Sequence, residues 1–322
     1  MLDYPLFAIG FVILIKGADL MVDGASSIAK KLNLSDMVIG LTIVAFGTSA
    51  PEFIVNIFAS IDGRAGIAIG NIVGSNVANI FLILGATSII YPIAVKRNTL
   101  YREIPFSFLA ALVLFIFAND VLIDGNATSA ISRGDGLTFL AFFVIFLYYV
   151  YSLSKKGKDD DVEQEIEEIK ELAMPKAILF VLLGITGLFF GGNWIVVGAS
   201  KIAKTFGMSE NVIGLTIVAF GTSLPELATS ILAALKKNTD IAMGNVIGSN
   251  IFNIFWVLGC SSVIKTLPIS NSSNLDLYVL LFASLLLFLF LFIGKRYKFQ
   301  RWQGVSFVLM YISYMTYLVI SA

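Results

Sequence analysis

The chain has no histidine and a single cysteine, Cys260, among its 322 residues. Without histidine, no side chain titrates near neutrality by default, so any proton chemistry falls to Asp or Glu. Neither a nucleophile–histidine pair nor an HExxH metal motif can be built, which turns the reading away from an enzyme. A lone cysteine cannot close an internal disulfide and leaves the redox compartment unread. Charge is scarce too: 14% of residues, against about 25% in soluble domains. Lys plus Arg and Asp plus Glu number 22 each, so net charge offers nucleic acid no attraction.

What fills the chain is apolar. Hydrophobic residues make up 57% and the mean hydropathy is +0.88, which places the chain in a membrane. Ten segments are long and apolar enough to span, at about 20 residues each. They lie near 5–22, 36–60, 67–93, 103–121, 135–153, 176–197, 210–235, 241–264, 275–294 and 301–321. The expected fold is therefore an all-α membrane protein of ten transmembrane helices. The first segment lacks a basic leader and is not read as a cleaved signal peptide. It carries Lys16 and Asp19, expected to be a snorkelling pair near a helix end. Residues 154–175 are the one long polar stretch, SKKGK followed by DDDVEQEIEEIKEL. They read as a solvated, partly helical tether, because the carboxylates lack the glycine and oxygen spacing of an EF-hand loop.

A repeat organises everything else. Residues 38–52, VIGLTIVAFGTSAPE, return as residues 212–226, VIGLTIVAFGTSLPE, and only Ala50 against Leu224 differs. A second block, AIGNIVGSNVANIF from Ala68, returns as AMGNVIGSNIFNIF from Ala242, again 174 residues later. Each first block sets a carboxylate, Glu52 or Glu226, inside an apolar segment, and an ionisable residue there marks a functional site by default.

In GTSAPE, Pro51 has no N–H and its ring clashes with the carbonyl of Gly47, so the helix should break or kink here and free carbonyl oxygens. Irregular backbone at membrane depth is tolerated only when buried in protein or lining a cavity. Thr48 and Ser49 precede Glu52 by four and three residues, which puts their hydroxyls on or near its helix face. Gly221, Thr222, Ser223, Pro225 and Glu226 repeat the arrangement. In the second block, Gly70 and Gly74 permit close helix approach, and Ser75 shares a face with Asn79. Gly244, Gly248, Ser249 and Asn253 match them. Carboxylate, hydroxyl, amide and carbonyl oxygens suit hard cations such as Ca²⁺, which takes about six to eight oxygens. Taken singly, Asn71, Asn76, Asn245 and Asn250 read as residues that pack helices. The glutamates do not, because Lys16 is the only Lys or Arg inside a span and a structural carboxylate would want a cationic partner.

Loop charges orient the chain. One side, with the linker and the loops after the first, third, seventh and ninth segments, holds 16 Lys and Arg; the other holds five. The basic side is cytoplasmic by the positive-inside rule, so both termini are expected outside the cell and the linker inside. Five spans per copy is an odd number, and the second copy enters the membrane from the opposite side. This is the inverted repeat of secondary transporters: 1–153 and 176–322 as five-helix halves, 154–175 as an acidic cytoplasmic linker. An empty carrier would have to bury two unpaired carboxylates while changing sides, so obligatory exchange of cations is expected.

At these blocks the chain resembles the cation/calcium exchanger superfamily, and most of all its prokaryotic sodium/calcium exchangers. GTSAPE with GNIVGSNVAN is similar to the family's first alpha repeat, GTSLPE with GNVIGSNIFN to the second. The resemblance implies that helices 2, 3, 7 and 8 surround the ions and that alternating access is driven by sliding of helices 1 and 6. It implies the ligands Thr48, Ser49, Glu52, Ser75 and Asn79 with Thr222, Ser223, Glu226, Ser249 and Asn253, plus the backbone carbonyls of Ala45 and Ala219. It implies no cofactor, only transported Ca²⁺ and Na⁺. Potassium-dependent relatives are associated with Asp at one of the two Asn positions; both are Asn here, which counts against potassium. The expected function is Na⁺/Ca²⁺ antiport in the cell membrane. A proton/calcium antiporter is the alternative, since two Glu can carry protons. A cation channel is disfavoured by the kinked repeats and the lack of a polar pore-lining stripe.

Overall fold

The computed structural model describes residues 3–123, 125, 127–155, 172–206, 219–270, 273–295 and 297–321. Nearly all of them are helical. The first half contains α1 (Asp3–Lys31), α2 (Asp36–Thr48), α3 (Ala50–Ile61), α4 (Ala65–Ile90), α5 (Thr99–Phe117) and α6 (Arg133–Ser154). The second contains α7 (Met174–Thr205), α8 (Ala219–Thr222), α9 (Leu224–Leu235), α10 (Thr239–Ile264), α11 (Ser273–Phe290) and α12 (Arg301–Ser321). Among the described residues, seven helices are long and apolar enough to cross a membrane, and α2 with α3 makes an eighth span bent by 48°. The protein is a multi-pass membrane protein.

Local chemistry sets the helix starts. Ser35 caps α2 by accepting from Val38 N–H, and Asn238 caps α10 by accepting from Ile241 N–H. Ser132 and Asp135 form a capping box at α6. The break between α2 and α3 falls at Ser49, two residues before Pro51, where the proline was expected to interrupt the helix. The same break recurs at Ser223, between α8 and α9. Residues 210–218, expected to continue α8 toward its N-terminus, lie outside the described residues, as does most of the acidic linker.

Two expectations need correction. The first span does not end near residue 22: α1 runs on to Lys31, so Lys16 and Asp19 sit in its middle. Nor do those two pair. Asp19 and Asp23, one turn apart, both grip Lys236 Nζ at 2.6 and 2.5 Å. Lys236 follows α9, so this triad ties α1 to the far half, a contact that spacing along one segment cannot reveal.

The buried apolar side chains form two clusters. Buried residues of α1 and α7, including Met21, Val22, Val181 and Leu188, make a small core of their own with Ile39 and Val44 of α2. The larger core gathers α4, α5, α6, α10, α11 and α12 around Phe81, Phe139, Phe146, Phe255 and Phe307. α1 and α7 run antiparallel with backbones almost touching. A methyl group on Gly17 would lie 2.8 Å from Leu188 N, and one on Gly184 2.8 Å from Met21 N. Only glycine permits that approach.

Short ladders join the ends. β1 (Ile93–Ala94), after α4, pairs antiparallel with β4 (Lys298–Phe299), which leads into α12. β3 (Leu267–Ile269), after α10, pairs antiparallel with β2 (Ser129–Ile131), which leads into α6. Each half therefore reaches across to the other in the same way.

Candidate cation-binding site

Both helix breaks point inward at the place where α4 crosses α10. Glu52 and Glu226 are 0% and 1% exposed. Each stands in the first turn after its break. Thr48, Ser49, Ser75, Asn79, Ser223, Ser249 and Asn253 are buried beside them, and Thr222 is half-buried. Asn79 and Asn253 sit in widened π-helical turns, Ala78–Leu84 of α4 and Phe252–Leu258 of α10. Such turns often accompany functional sites.

The side chains interlock across the repeat. Ser49 Oγ donates to Glu226 Oε1 at 3.3 Å, from the opposite half. Ser75 Oγ donates to Glu52 Oε1 at 3.5 Å, within its own half. Thr48 Oγ1 donates to Asn245 Oδ1 at 3.0 Å and lies 3.4 Å from Ser249 Oγ. Thr222 Oγ1 donates to Asn71 Oδ1 at 3.4 Å. Asn79 Nδ2 donates to Asn250 Oδ1, and Asn253 Nδ2 to Asn76 Oδ1, both at 3.0 Å. Of the expected set, Ser49 thus meets Glu226, Ser75 meets Glu52 and Thr48 meets Ser249, while Asn79, Asn253 and Thr222 bond to other asparagines.

The two expected carbonyls differ. That of Ala45 accepts from Ser49 N–H at 3.0 Å, as in an unbroken helix. In the second half Ser223 N–H turns instead to Phe220 O at 3.1 Å, away from Ala219. The glycines differ as well. Gly244 lies against Gly40 of α2, where an added methyl group would meet its Cα at 3.0 Å. Nothing among the described residues comes within 4 Å of such a group on Gly70 or Gly74, although close approach was expected there too. The segment that would match α2 in the second half is the one outside the described residues.

Among the described residues, acceptors outnumber donors in the site. Glu52 Oε2, Glu226 Oε2, Asn79 Oδ1, Asn253 Oδ1 and Ser223 Oγ are buried and have no hydrogen-bond partner among the described residues. No Lys or Arg forms a salt bridge with either glutamate among the described residues. Nor do three Asp, Glu, His or Cys side chains cluster among them, so the charged groups here are the two carboxylates alone. Buried carboxylates without a counter-charge cost several kcal/mol or more, and a cation or proton would relieve that cost.

Sequence reasoning missed Asn56 and Ser230. Asn56 Oδ1 accepts from Asn71 Nδ2 at 3.3 Å, and Ser230 Oγ accepts from Asn245 Nδ2 at 2.9 Å. They occupy counterpart positions, each four residues after its glutamate and on the same helix face, a spacing that could have flagged them.

A family model described as sodium/calcium exchanger protein matches residues 3–152 and 176–320. The chain is 33% identical over 344 aligned positions to the sodium/calcium exchanger MaX1 of Methanosarcina acetivorans, covering 98% of each chain. It is 36% identical over 269 positions to the inner membrane protein YrbG of Escherichia coli, covering 82% of this chain and 80% of that one. Among solved structures it resembles the sodium-calcium exchanger NCX_Mj soaked with Na⁺ and Sr²⁺, with a TM-score of 0.83, 35% identity and 98% of both chains covered.

Proposed function

The chain belongs to the sodium/calcium exchanger protein family, and on that premise we propose that it is a secondary antiporter exchanging Na⁺ for Ca²⁺ by alternating access. The observation that carries the reading is the set of buried oxygens on Glu52, Glu226, Asn79 and Asn253 that have no donor among the described residues. Oxygen acceptors with no hydrogen to receive are what a hard cation requires. The proposed ligands are Thr48, Ser49, Glu52, Ser75 and Asn79 with Thr222, Ser223, Glu226, Ser249 and Asn253, and the carbonyls of Ala45 and Ala219, an all-oxygen set. Two carboxylates balance one Ca²⁺. With the ion gone they are two uncompensated charges in a low-dielectric site, and this opposes an empty return step.

The proposed architecture is ten spans in two inverted halves, 1–153 and 176–322, joined by a cytoplasmic linker at 154–175, with both termini outside the cell. Three observations support it. The counterpart helices α1 and α7 lie antiparallel. The contact of Asn76 with Asn253 mirrors that of Asn79 with Asn250. The two β-ladders mirror each other as well. The shorter apolar helices Leu224–Leu235 and Asn274–Phe290 stand where the remaining two spans belong.

Calcium flux into proteoliposomes, with Na⁺, K⁺ and pH gradients imposed in turn, tests the function. An outward Na⁺ gradient alone is expected to drive Ca²⁺ uptake. Uptake driven by a pH gradient and not by Na⁺ would make the protein a proton/calcium antiporter. Unitary current steps in a planar bilayer would make it a channel.

A further inference from the structure

Resting on that exchange reading, we infer that Asn76 and Asn245 are positioning residues: each fixes which end of an ion-facing group points into the site. An amide has a donor end and an acceptor end, and only the acceptor can hold a cation. Something must therefore decide the orientation of Asn253, and of the Thr48 hydroxyl.

The decision starts at backbone carbonyls, which only accept. Asn76 Nδ2 donates to the carbonyl of Asn250 at 3.2 Å. That bond forces Asn76 to present its NH₂ to the backbone and its Oδ1 the other way. Asn76 Oδ1 then accepts from Asn253 Nδ2 at 3.0 Å. The amide of Asn253 is left with its own Oδ1 buried and without a partner among the described residues. A second chain has the same logic. Asn245 Nδ2 donates to the carbonyl of Glu226 at 3.3 Å and to Ser230 Oγ at 2.9 Å. Asn245 Oδ1 is thereby turned to Thr48, whose hydroxyl donates to it as its nearest acceptor at 3.0 Å. With its hydrogen engaged, Thr48 Oγ1 offers lone pairs. In both chains the asparagine next to the backbone takes up the donor that would repel a cation. Read singly, these residues look like helix-packing asparagines. Their polarity, set by an acceptor that cannot reverse, gives them a role in the ion site.

Calcium binding by titration calorimetry on the purified protein, with a thermal melt of every variant, tests this for Asn76. Asn76→Leu removes the acceptor and lets the Asn253 amide turn its NH₂ inward. Calcium affinity should fall about 10- to 100-fold, the usual effect of losing a partner that orients a metal ligand. Asn253→Asp supplies a carboxylate, which has no donor end to misplace. In that background the same Asn76→Leu change should cost less than about twofold. Asn76→Ser, a smaller change to the packing, should give the same contrast between the two backgrounds if Asn76→Leu fails to melt cooperatively. An equal loss in both backgrounds would make Asn76 a merely structural residue and overturn the inference. So would an undiminished affinity in Asn76→Leu. No calcium binding by the unsubstituted protein would instead overturn the exchange reading on which the inference rests.

Discussion

Single residues separate into groups that carry charge and groups that carry geometry. Glu52→Gln and Glu226→Gln keep shape and one oxygen but leave a divalent ion facing one negative charge instead of two. At the low dielectric of the site that difference is large. Each variant should lose at least about a hundredfold in calcium affinity, ~2.7 kcal/mol, and show background flux in proteoliposomes. The melting temperature should hold or rise, because an unpaired buried charge has been neutralised. Flux at the unsubstituted rate would remove that glutamate from the site, and a collapsed melt would make it structural. Asn79→Ala and Asn253→Ala delete one neutral oxygen and should weaken Ca²⁺-dependent flux about tenfold without ending it. The candidates were legible because each appears twice in the sequence, at the same spacing and in an apolar setting. The partners were not. Spacing of three or four says which face a side chain shares, yet nothing along α2 says that Ser49 bonds Glu226 rather than Glu52. For the same reason Lys236 could not be matched with Asp19 before the fold was known.

At the scale of elements, the broken spans were readable because proline acts locally: it withholds one donor and clashes one turn back. The widened turns that hold Asn79 and Asn253 contain no comparable residue. The two- and three-residue β-ladders join positions in opposite halves, and runs that short have no periodicity to detect. The α1–α7 seam gives the element-scale prediction. Gly184→Leu would drive a side chain against the backbone of Met21, and overpacking of this kind costs about 1–3 kcal/mol. A thermal melt in detergent should shift down accordingly. An unchanged melt would mean that the two helices separate freely.

For the whole molecule, loop charge predicts topology. Tags at both termini should be reached by antibody from outside intact cells, and a tag inserted at residue 157 only after permeabilisation. Termini found on opposite sides would mean an odd number of spans and would end the inverted arrangement. Voltage gives the second prediction at this scale. Two fixed negative charges balance one Ca²⁺, so a third Na⁺ would leave the complex positive. Moving one charge through 100 mV is worth about 2.3 kcal/mol. Calcium flux should therefore follow a clamped potassium-diffusion potential, and flux indifferent to it would show electroneutral exchange.

The Asp19–Lys236–Asp23 triad has a consequence for balance. Its counterpart positions hold Asn193, Asp62 and Val197, which cannot form it. If the two repeats of an exchanger swap roles, the inward and outward forms are related by the repeat and close in energy. Any preference between them must arise where the repeat fails. A partly exposed ion cluster is worth up to about 1 kcal/mol, a population ratio of about five. Under the exchange reading, three residues outside the proposed ligand set would bias which side of the membrane the resting molecule faces.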